Sequence, residues 1–289
     1  MRFRGKLVDI GCIQHFTKVI GMLAKLAKTC VLRMTVDKLY FILSEQVVNG
    51  GVSIWCELAQ GHFFNEYSID GLSAEANEIF LEVIPENFMK ALKTSQVSKS
   101  IKVKLTKKHT PCLTFEIEMP STHSRFVTHD VPVHVIPKRL WAEYDEPAMP
   151  EFDVSIYMPS LKVLRNVVDR MKTMSNFIII SANRSGEFIV KVETDSVTIA
   201  THFRDLKNPV FGKPHQDAAA QLPSQSTQQQ KREEFAETRI DIKKFAQFLA
   251  GQQVNPNKVI CNIVENKVAH FFLLHDDVSL QYFMPAVSL

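Results

Sequence analysis

Residues 18–28 read KVIGMLAKLAK, the pattern of an amphipathic helix. Apolar residues recur at helical spacing on one side. Lys18, Lys25 and Lys28 follow another side, because steps of seven and three residues nearly restore the angle at 3.6 residues per turn. No acidic residue occurs within 11–28 to pair with these lysines. The stretch therefore predicts a helix that packs one face on a core and carries a basic stripe on another.

Three further stretches show helical periodicity, near residues 85–98, 160–175 and 241–253. Pro85 suits the first turn of the second helix, and Ser160 suits the N-cap of the third. The four helices start about 74, 75 and 81 residues apart, and each follows a strand and precedes further strands. Such even spacing predicts one strand-helix-strand unit that is used four times, two units to a domain.

Period-2 alternation predicts that most of the remaining chain is β-strand. The clearest predicted strands are residues 2–9, 29–37, 38–43, 52–58, 101–108, 112–119, 126–136, 187–194, 197–203 and 278–287. The prolines and acidic residues of 137–152 predict an interdomain connector between a domain of residues 1–136 and a domain of residues 153–289. Residues 207–234, rich in Gln, Ser, Ala and Pro, predict a mobile loop inside the second domain. The predicted fold class is α+β, with helices on one face of antiparallel sheets.

Composition indicates an ordinary globular protein, with 45% hydrophobic and 22% charged residues. We expect a soluble intracellular protein with no membrane partner, because no stretch is apolar enough to span a bilayer and the N-terminal residues lack the apolar core of a secretory signal. The five cysteines are scattered and form no pair or cluster of metal-site spacing. We therefore expect reduced core thiols, no metal and no cofactor.

The positive charge is concentrated in the four helical segments. They carry nine net positive charges of a chain whose total is +3, which leaves −6 for everything else. One lysine stripe is commonly just a solvated face, but four helices with the same bias favour a shared basic surface. Such a surface suits sequence-independent binding of duplex DNA, whose phosphates attract lysine by releasing counterions. The basic residues are Lys18, Lys25, Lys28, Lys90, Lys93, Lys162, Arg165, Lys172, Lys243 and Lys244.

Candidate catalytic residues are few. His129, His202 and His275 each lie near an aspartate, but they fall on predicted strands or strand ends. The sequence contains no HExxH, GxSxG, Walker or GxGxxG motif that would supply a known chemistry. We therefore predict no catalytic residue and a protein that is not an enzyme.

Several stretches from end to end resemble a known family. They include MRFRGKLVD (1–9), HFTKVIGMLAKLAKTCVLR (15–33), VTHDVPVHVIP (127–137), FLAGQQVNPNK (248–258) and DVSLQYFMPA (277–286). The chain resembles the sliding-clamp family of proliferating cell nuclear antigen, and within it the Hus-one subunits of the heterotrimeric checkpoint clamp, the nine-one-one complex. The resemblance covers essentially the whole chain.

The resemblance implies a ring of three similar subunits whose helices line the central hole, so the ten basic residues become candidates to face threaded DNA. By analogy of position, the subunits would join at two edge strands, although both strands could equally be interior. The candidate interface residues are Val127, His129, Val131, Val133, Val197, Ile199, Thr201 and Phe203. The resemblance also implies docking sites for partner enzymes, and the candidate residues are Trp141, Tyr144, Tyr282 and Phe283. The alternative is that these aromatic side chains simply pack on their own domain.

The expected function is that of a non-enzymatic subunit of a DNA clamp in the DNA damage checkpoint, which serves as a platform for DNA repair. The implied partners are Rad-nine and Rad-one type clamp subunits, a clamp loader, double-stranded DNA and repair enzymes. The implied location is the nucleus, with a cytoplasmic pool as a second location. Two alternatives stay open: a homotrimeric replication-type clamp, and a scaffold that does not encircle DNA.

Overall fold

The computed structural model describes residues 1–44, 51–120, 125–209 and 234–287. Five α-helices occur in these ranges: α1 (Ile10–Leu26), α2 (Gln60–Phe63), α3 (Pro85–Leu92), α4 (Leu161–Met171) and α5 (Ile242–Phe248). Short 3₁₀ turns follow α3 at Lys93–Ser95 and α5 at Leu249–Val254, and a third covers Lys138–Tyr144. The four longer helices lie where the periodicity predicts them, whereas the single turn of α2 carries no sequence signal that we recognised.

Eighteen strands accompany these helices in the described ranges. Those of the first half are β1 (Arg2–Leu7), β2 (Cys30–Met34), β3 (Lys38–Ser44), β4 (Ser53–Ala59), β5 (Glu66–Asp70), β6 (Ile79–Val83), β7 (Ser100–Lys107), β8 (Pro111–Met119), β9 (Arg125–Pro132) and β10 (His134–Val135). Those of the second half are β11 (Val154–Tyr157), β12 (Phe177–Ala182), β13 (Phe188–Glu193), β14 (Thr198–Phe203), β15 (Ala236–Asp241), β16 (Lys258–Val264), β17 (Val268–His275) and β18 (Val278–Pro285). Each of the four longer helices therefore connects two strands, as the repeat predicts.

The strands form three antiparallel sheets. One has five strands in the order β5-β1-β7-β8-β9, and another has four in the order β14-β13-β12-β15. The largest has nine strands in the order β10-β6-β2-β3-β4-β18-β17-β16-β11. In this sheet β4 pairs with β18, from Val278 opposite Leu58 to Phe283 opposite Ser53. Strands from the two halves of the chain thus share one hydrogen-bonded sheet.

The helix starts follow from local side-chain chemistry. The Asp9 carboxylate accepts a hydrogen bond from the Cys12 amide at 2.8 Å and caps α1. Asp241 caps α5 by accepting from the amides of Lys243 and Lys244 at 2.8 and 3.0 Å. These bonds satisfy amides that the first turn of a helix leaves without partners. Ser160 does precede α4, as predicted, but its side chain makes no capping hydrogen bond.

The helices bury their apolar faces on the sheets in one hydrophobic core that reaches all three sheets. In α5, Phe248 lies with its ring centroid 4.8 Å from that of Phe271 on β17. In α3, Phe88 meets Phe115 on β8 edge to face at 5.4 Å. The cores beneath the helices are therefore built from the same aromatic-on-strand contact in both halves.

All five cysteines are free, as the sequence predicts, but they are not all in the core. Cys30, Cys56, Cys112 and Cys261 are buried, and burial raises the pKa of the Cys30 thiol to about 12. Cys12 on α1 is only half-buried.

None of the helices among the described residues has the length and apolarity to cross a membrane. Most of the predicted loop 207–234 lies outside the described residues, and the predicted domain division stays a prediction.

Candidate nucleic-acid interface and subunit edges

The four longer helices adjoin one another in a single layer. α1 contacts α3 on one side, and on the other side it contacts α5 and the turn Leu249–Val254; α4 contacts α5 and that same turn. The order across the layer is therefore α3-α1-α5-α4. A shallow groove of about 270 Å³ follows the seam where α1 meets α3 and the turn, and its lining includes Lys18, Met89 and Gln253.

All ten predicted basic residues keep their side chains at least partly exposed. Seven lie on α1, α3, α4 and α5, whereas Lys93 lies in the 3₁₀ turn after α3 and Lys172 directly follows α4. The prediction that Lys28 lies on the helix with Lys18 and Lys25 is wrong. The backbone leaves the helix at Ala27, with φ −138° and ψ 137°, in order to enter β2, so Lys28 lies in the connecting loop.

Only part of this positive charge is neutralised by neighbouring carboxylates. Lys90 pairs with Glu86 at 3.0 Å. Asp169 accepts a hydrogen bond from Lys172 at 2.6 Å and forms a longer ion pair with Arg165 at 3.6 Å. Of the ten residues, six have no carboxylate of a described residue within ion-pair distance: Lys18, Lys25, Lys28, Lys93, Lys162 and Lys243. The Lys25 ammonium donates to the Gln253 side chain at 3.2 Å. The layer therefore presents a net positive surface that protein carboxylates do not cancel.

The two strands that carry the predicted interface residues lie at sheet edges. β9 is the terminal strand of the five-stranded sheet, and β14 is the terminal strand of the four-stranded sheet. Half-exposed side chains on these strands are Val127, His129, Ile199, Thr201 and Phe203, and Val197 just before β14 is 42% exposed. A terminal strand leaves one row of backbone N–H and C=O groups for another chain.

The prediction that Val131 and Val133 are interface residues is wrong. They are 4% and 2% exposed and belong to the hydrophobic core. Side chains alternate between the faces of a strand, and Val131 points inward opposite the buried Leu113 of β8. Neither valine therefore has a side chain that another subunit could contact.

An apolar groove adjoins the second edge. It has a volume of about 380 Å³ between α4 and β14, and its lining includes Val163, Val167, Met174 and Ile199. Val163 and Met174 are 50% and 40% exposed, and they adjoin one another in this groove rather than being scattered singly. The helix and the edge strand thus leave an uncovered apolar seam on the same side of the sheet.

Trp141 and Tyr144 lie against the opposite face of the nine-stranded sheet. The Trp141 ring stacks on Phe80 at 4.5 Å, and its indole N–H donates to the Ile136 carbonyl at 3.0 Å. The two aromatic residues cover a second, small cluster of buried side chains: Val31, Ile42, Trp55, Phe80 and Ile136. The connector is thus packed on the sheet, and its aromatic residues are half-buried.

The prediction that Tyr282 is a docking residue is wrong. It has no exposed surface, and its ring stacks on Phe248 of α5 at 5.6 Å. Its neighbour Phe283 points to the other face of the sheet, where it stacks on His270 at 4.2 Å and keeps some exposure. Trp141, Tyr144 and Phe283 remain predicted docking residues, whereas Tyr282 is a core residue.

The three histidines that the sequence analysis considered as catalytic candidates, His129, His202 and His275, lie in separate environments. His202 lies 2.9 Å from the Glu187 carboxylate, and together with Arg204 it lowers the pKa of Glu187. His129 lies 3.3 Å from the Thr94 hydroxyl, beside the end of α3. The His275 ring lies against that of His15 on α1, with the centroids 4.4 Å apart and the planes tilted by 30°. His15 is a residue that sequence reasoning missed, because 260 positions separate it from His275.

Solved structures identify the class of fold. The chain is similar to proliferating cellular nuclear antigen from Entamoeba histolytica, with a TM-score of 0.71 and 10% identity over 99% of each chain. It is also similar to the corresponding protein of Thermococcus kodakaraensis, with a TM-score of 0.67 and 14% identity over 98% of this chain and 99% of that one. The fold is that of a sliding clamp, which confirms the predicted fold class.

Sequence comparison identifies the family. The family described as Hus1-like protein matches residues 1–288. Human checkpoint protein HUS1 is 54% identical over 291 positions that cover all of both chains. Checkpoint protein hus1 of Schizosaccharomyces pombe is 30% identical over 90% of this chain and 88% of its own, and the Dictyostelium discoideum homolog is 28% identical over 99% of both. The chain belongs to the Hus1-like protein family, and the predicted resemblance is confirmed.

Proposed function

We propose that this chain is a non-enzymatic subunit of a heterotrimeric ring that encircles duplex DNA in the DNA damage checkpoint. The observation that carries the proposal is the continuous layer of four helices, with its exposed and largely unpaired basic residues, on the sheets of a sliding clamp. Membership of the Hus1-like family supports the checkpoint role, because the relatives carry the name of checkpoint proteins.

The physical reason for DNA binding is electrostatic. Duplex DNA carries one phosphate charge per ~1.7 Å of axis, and each lysine that neutralises a phosphate releases a condensed counterion. Contacts of this kind hold the backbone without reading bases, so a ring that uses them can stay on DNA and still slide. Lys18, Lys93, Lys162 and Lys243 suit this role because they are exposed and lack a carboxylate partner among the described residues.

Ring closure would use the two sheet edges. β9 of one subunit would pair with the β14-type edge of the next, which would satisfy backbone groups that otherwise invite aggregation. The groove between α4 and β14 would be covered at the same joint. Rad-nine and Rad-one type subunits would supply the other two-thirds of the ring, and domains of residues 1–136 and 153–289 in each chain would make six in all.

The outer face would act as a platform. Trp141, Tyr144 and Phe283 keep partial exposure on the sheet face opposite the helices, where repair enzymes and the clamp loader would have access. The place of action would be the nucleus, with a cytoplasmic pool before assembly. In this role the chain needs no cofactor, because holding DNA and partners in one place requires no chemical step.

Two experiments test the proposal: the first measures assembly of the ring, and the second measures whether the assembled ring encircles DNA. Light scattering on a sizing column should give a monomer for the purified chain and a one-to-one-to-one particle after mixing with the two partner subunits. With a loader and ATP, the particle should stay on a closed circular duplex in high salt and leave after the circle is cut. A self-trimer would instead favour the homotrimeric clamp, and no assembly would favour a scaffold that does not encircle DNA.

A further inference from the structure

A cluster of metal-ligating side chains lies near the N-terminal end of α1, away from the two edge strands β9 and β14. It contains His15 on α1, His275 at the end of β17, and Asp277 in the turn before β18. One ligand atom from each residue lies within 4.8 Å of the corresponding atoms of the other two. Residues from the two ends of the sequence therefore converge on one point.

Two ring nitrogens of this cluster lack the partners that buried polar atoms normally have. His15 Nε2 and His275 Nδ1 are buried and have no hydrogen-bond partner among the described residues. Their rings are only 4.4 Å apart, so two protonated imidazoles would repel each other. Burial and the neighbouring His275 lower the pKa of His15, which favours the neutral ring that binds a metal.

The surroundings hold the three residues in place. His62 Nδ1 lies 2.8 Å from an Asp277 oxygen and orients that carboxylate. The Ala59 amide donates to the Asp277 carbonyl at 3.1 Å, which fixes the turn. Phe63 stacks on His15 at 5.5 Å and closes one side with an apolar ring. Metal sites typically have such outer partners, which set the orientation of each ligand.

We propose that His15, His275 and Asp277 form a binding site for a divalent transition metal of the Zn²⁺ class. Two imidazole nitrogens and one carboxylate oxygen are a common donor set for Zn²⁺, with bonds of about 2.0–2.2 Å. Donor atoms on such an ion lie about 3.4 Å apart, so the three side chains, whose donor atoms lie within 4.8 Å of one another, would draw together on binding. The two imidazole rings would also turn out of their 4.4 Å ring-to-ring contact, because a ring nitrogen binds a metal in the plane of its ring. A water molecule would complete the tetrahedron.

The proposed role of the ion is to join two parts of the chain. α1 belongs to the first strand-helix-strand unit and the β17–β18 turn to the last, so one ion would tie the N-terminal and C-terminal halves together beside the β4–β18 pairing. A ligand that binds only the folded chain stabilises it in proportion to the logarithm of its concentration over Kd. The bound ion would therefore raise the unfolding temperature of the free subunit.

The experiment uses the full chain without a histidine tag, stripped with EDTA and titrated with Co²⁺ as a visible probe and with Zn²⁺ in competition. We expect one equivalent to bind, with the absorption of a four-coordinate site, and Zn²⁺ to displace it. His15→Asn, His275→Asn and Asp277→Asn should each weaken binding at least tenfold. The control His202→Asn removes an exposed histidine that pairs with Glu187 away from the cluster, and it should bind like the wild type.

Unfolding in EDTA separates loss of binding from loss of fold. The side chain of Asp277 is 23% exposed, so Asp277→Asn should fold even if a histidine variant does not. Zn²⁺ should raise the unfolding midpoint of the wild type and of His202→Asn by several degrees, and that of Asp277→Asn much less. A wild type that binds no stoichiometric ion, or an Asp277→Asn variant that binds and responds like the wild type, would overturn the proposal.

Discussion

The imidazole of His270 is completely buried in the nine-stranded sheet, between aromatic rings. It stacks on Phe283 at 4.2 Å and on Phe152 at 5.4 Å, and its Nδ1 accepts from the Asn262 amide at 2.9 Å. Burial lowers its pKa to about 4. A histidine in VAHFFLLH reads from sequence as one more strand residue, because the alternation does not reveal that the connector will cover this face.

This histidine should make folding stability depend on pH. The unfolded chain binds its proton below about pH 6.5 and the folded chain only below about pH 4, so stability is complete above 6.5 and falls as the pH drops between these values. Between pH 7 and pH 5 the loss due to His270 should be about 2 kcal/mol. Urea unfolding at both pH values should show a smaller loss for His270→Phe, while the control His109→Phe, at an exposed loop position with no ion pair among the described residues, keeps the wild-type loss. Equal losses in all three proteins would contradict this account.

Gly186 occupies a backbone conformation that other residues avoid. Its φ is +90°, and a Cβ atom at this position would overlap the Leu206 carbonyl oxygen. We expect Gly186→Ala to lower the free energy of unfolding by at least about 2 kcal/mol, because it adds both strain and a clash with the backbone. The control is Gly61→Ala in α2, where nothing lies within 4 Å of the added carbon. Urea denaturation that finds the two variants equally stable would reject the prediction.

At the scale of elements, the sequence predicts the helices and their caps, because both depend on residues that are neighbours in the chain. The apolar spacing in α1 and α4 marks both helices, and an Asp-Ile step after a strand begins both α1 and α5 through the caps Asp9 and Asp241. What covers a strand face is harder to predict. Alternation in β18 puts Tyr282 on the same face as the buried Leu280 and points Phe283 to the other face. Alternation does not show that Phe248 of α5 stacks on the Tyr282 ring and covers it, so Tyr282 reads from sequence as a docking residue.

The edge strand β14 provides a test of the proposed ring. Ile199→Arg places a charge in the groove between α4 and β14, where a partner subunit would bury it unpaired. We expect the heterotrimer to weaken at least tenfold while the monomer keeps its fold. Val36→Arg, at a residue 52% exposed between β2 and β3, is the matched control. Sizing with light scattering measures both variants, and equal assembly would argue against β14 as a joint.

At the scale of the whole molecule, the charge layering is the property that the sequence predicts best. Counting charges along four helices locates the positive surface, because the repeat already places these helices on one side of the sheets. The cluster of His15, His275 and Asp277 is the opposite case. Its members lie at the two ends of the chain, and they meet because β4 pairs with β18 and α1 packs against α5.

Charge reversal should change both affinity for DNA and its salt dependence. Lys18→Glu with Lys93→Glu in the assembled ring should reduce the slope of log K against log salt by about 0.9 for each phosphate that the ring no longer neutralises. Lys107→Glu with Lys267→Glu reverses the same charge at strand ends outside the helical layer and should leave the slope unchanged. Fluorescence anisotropy on a duplex at several salt concentrations measures the slopes. Equal slopes for the two double variants would place the DNA elsewhere.

The pairing of β4 with β18 also bears on how such a ring can open. An uninterrupted ladder of backbone hydrogen bonds connects the two halves of the chain, so they cannot swing apart unless that ladder ruptures. Heating should accordingly melt the chain in one step, with equal calorimetric and van't Hoff enthalpies. In the proposed ring, each subunit would behave as a stiff segment without an internal hinge, and the gate through which duplex DNA enters would belong to the joints between neighbouring chains.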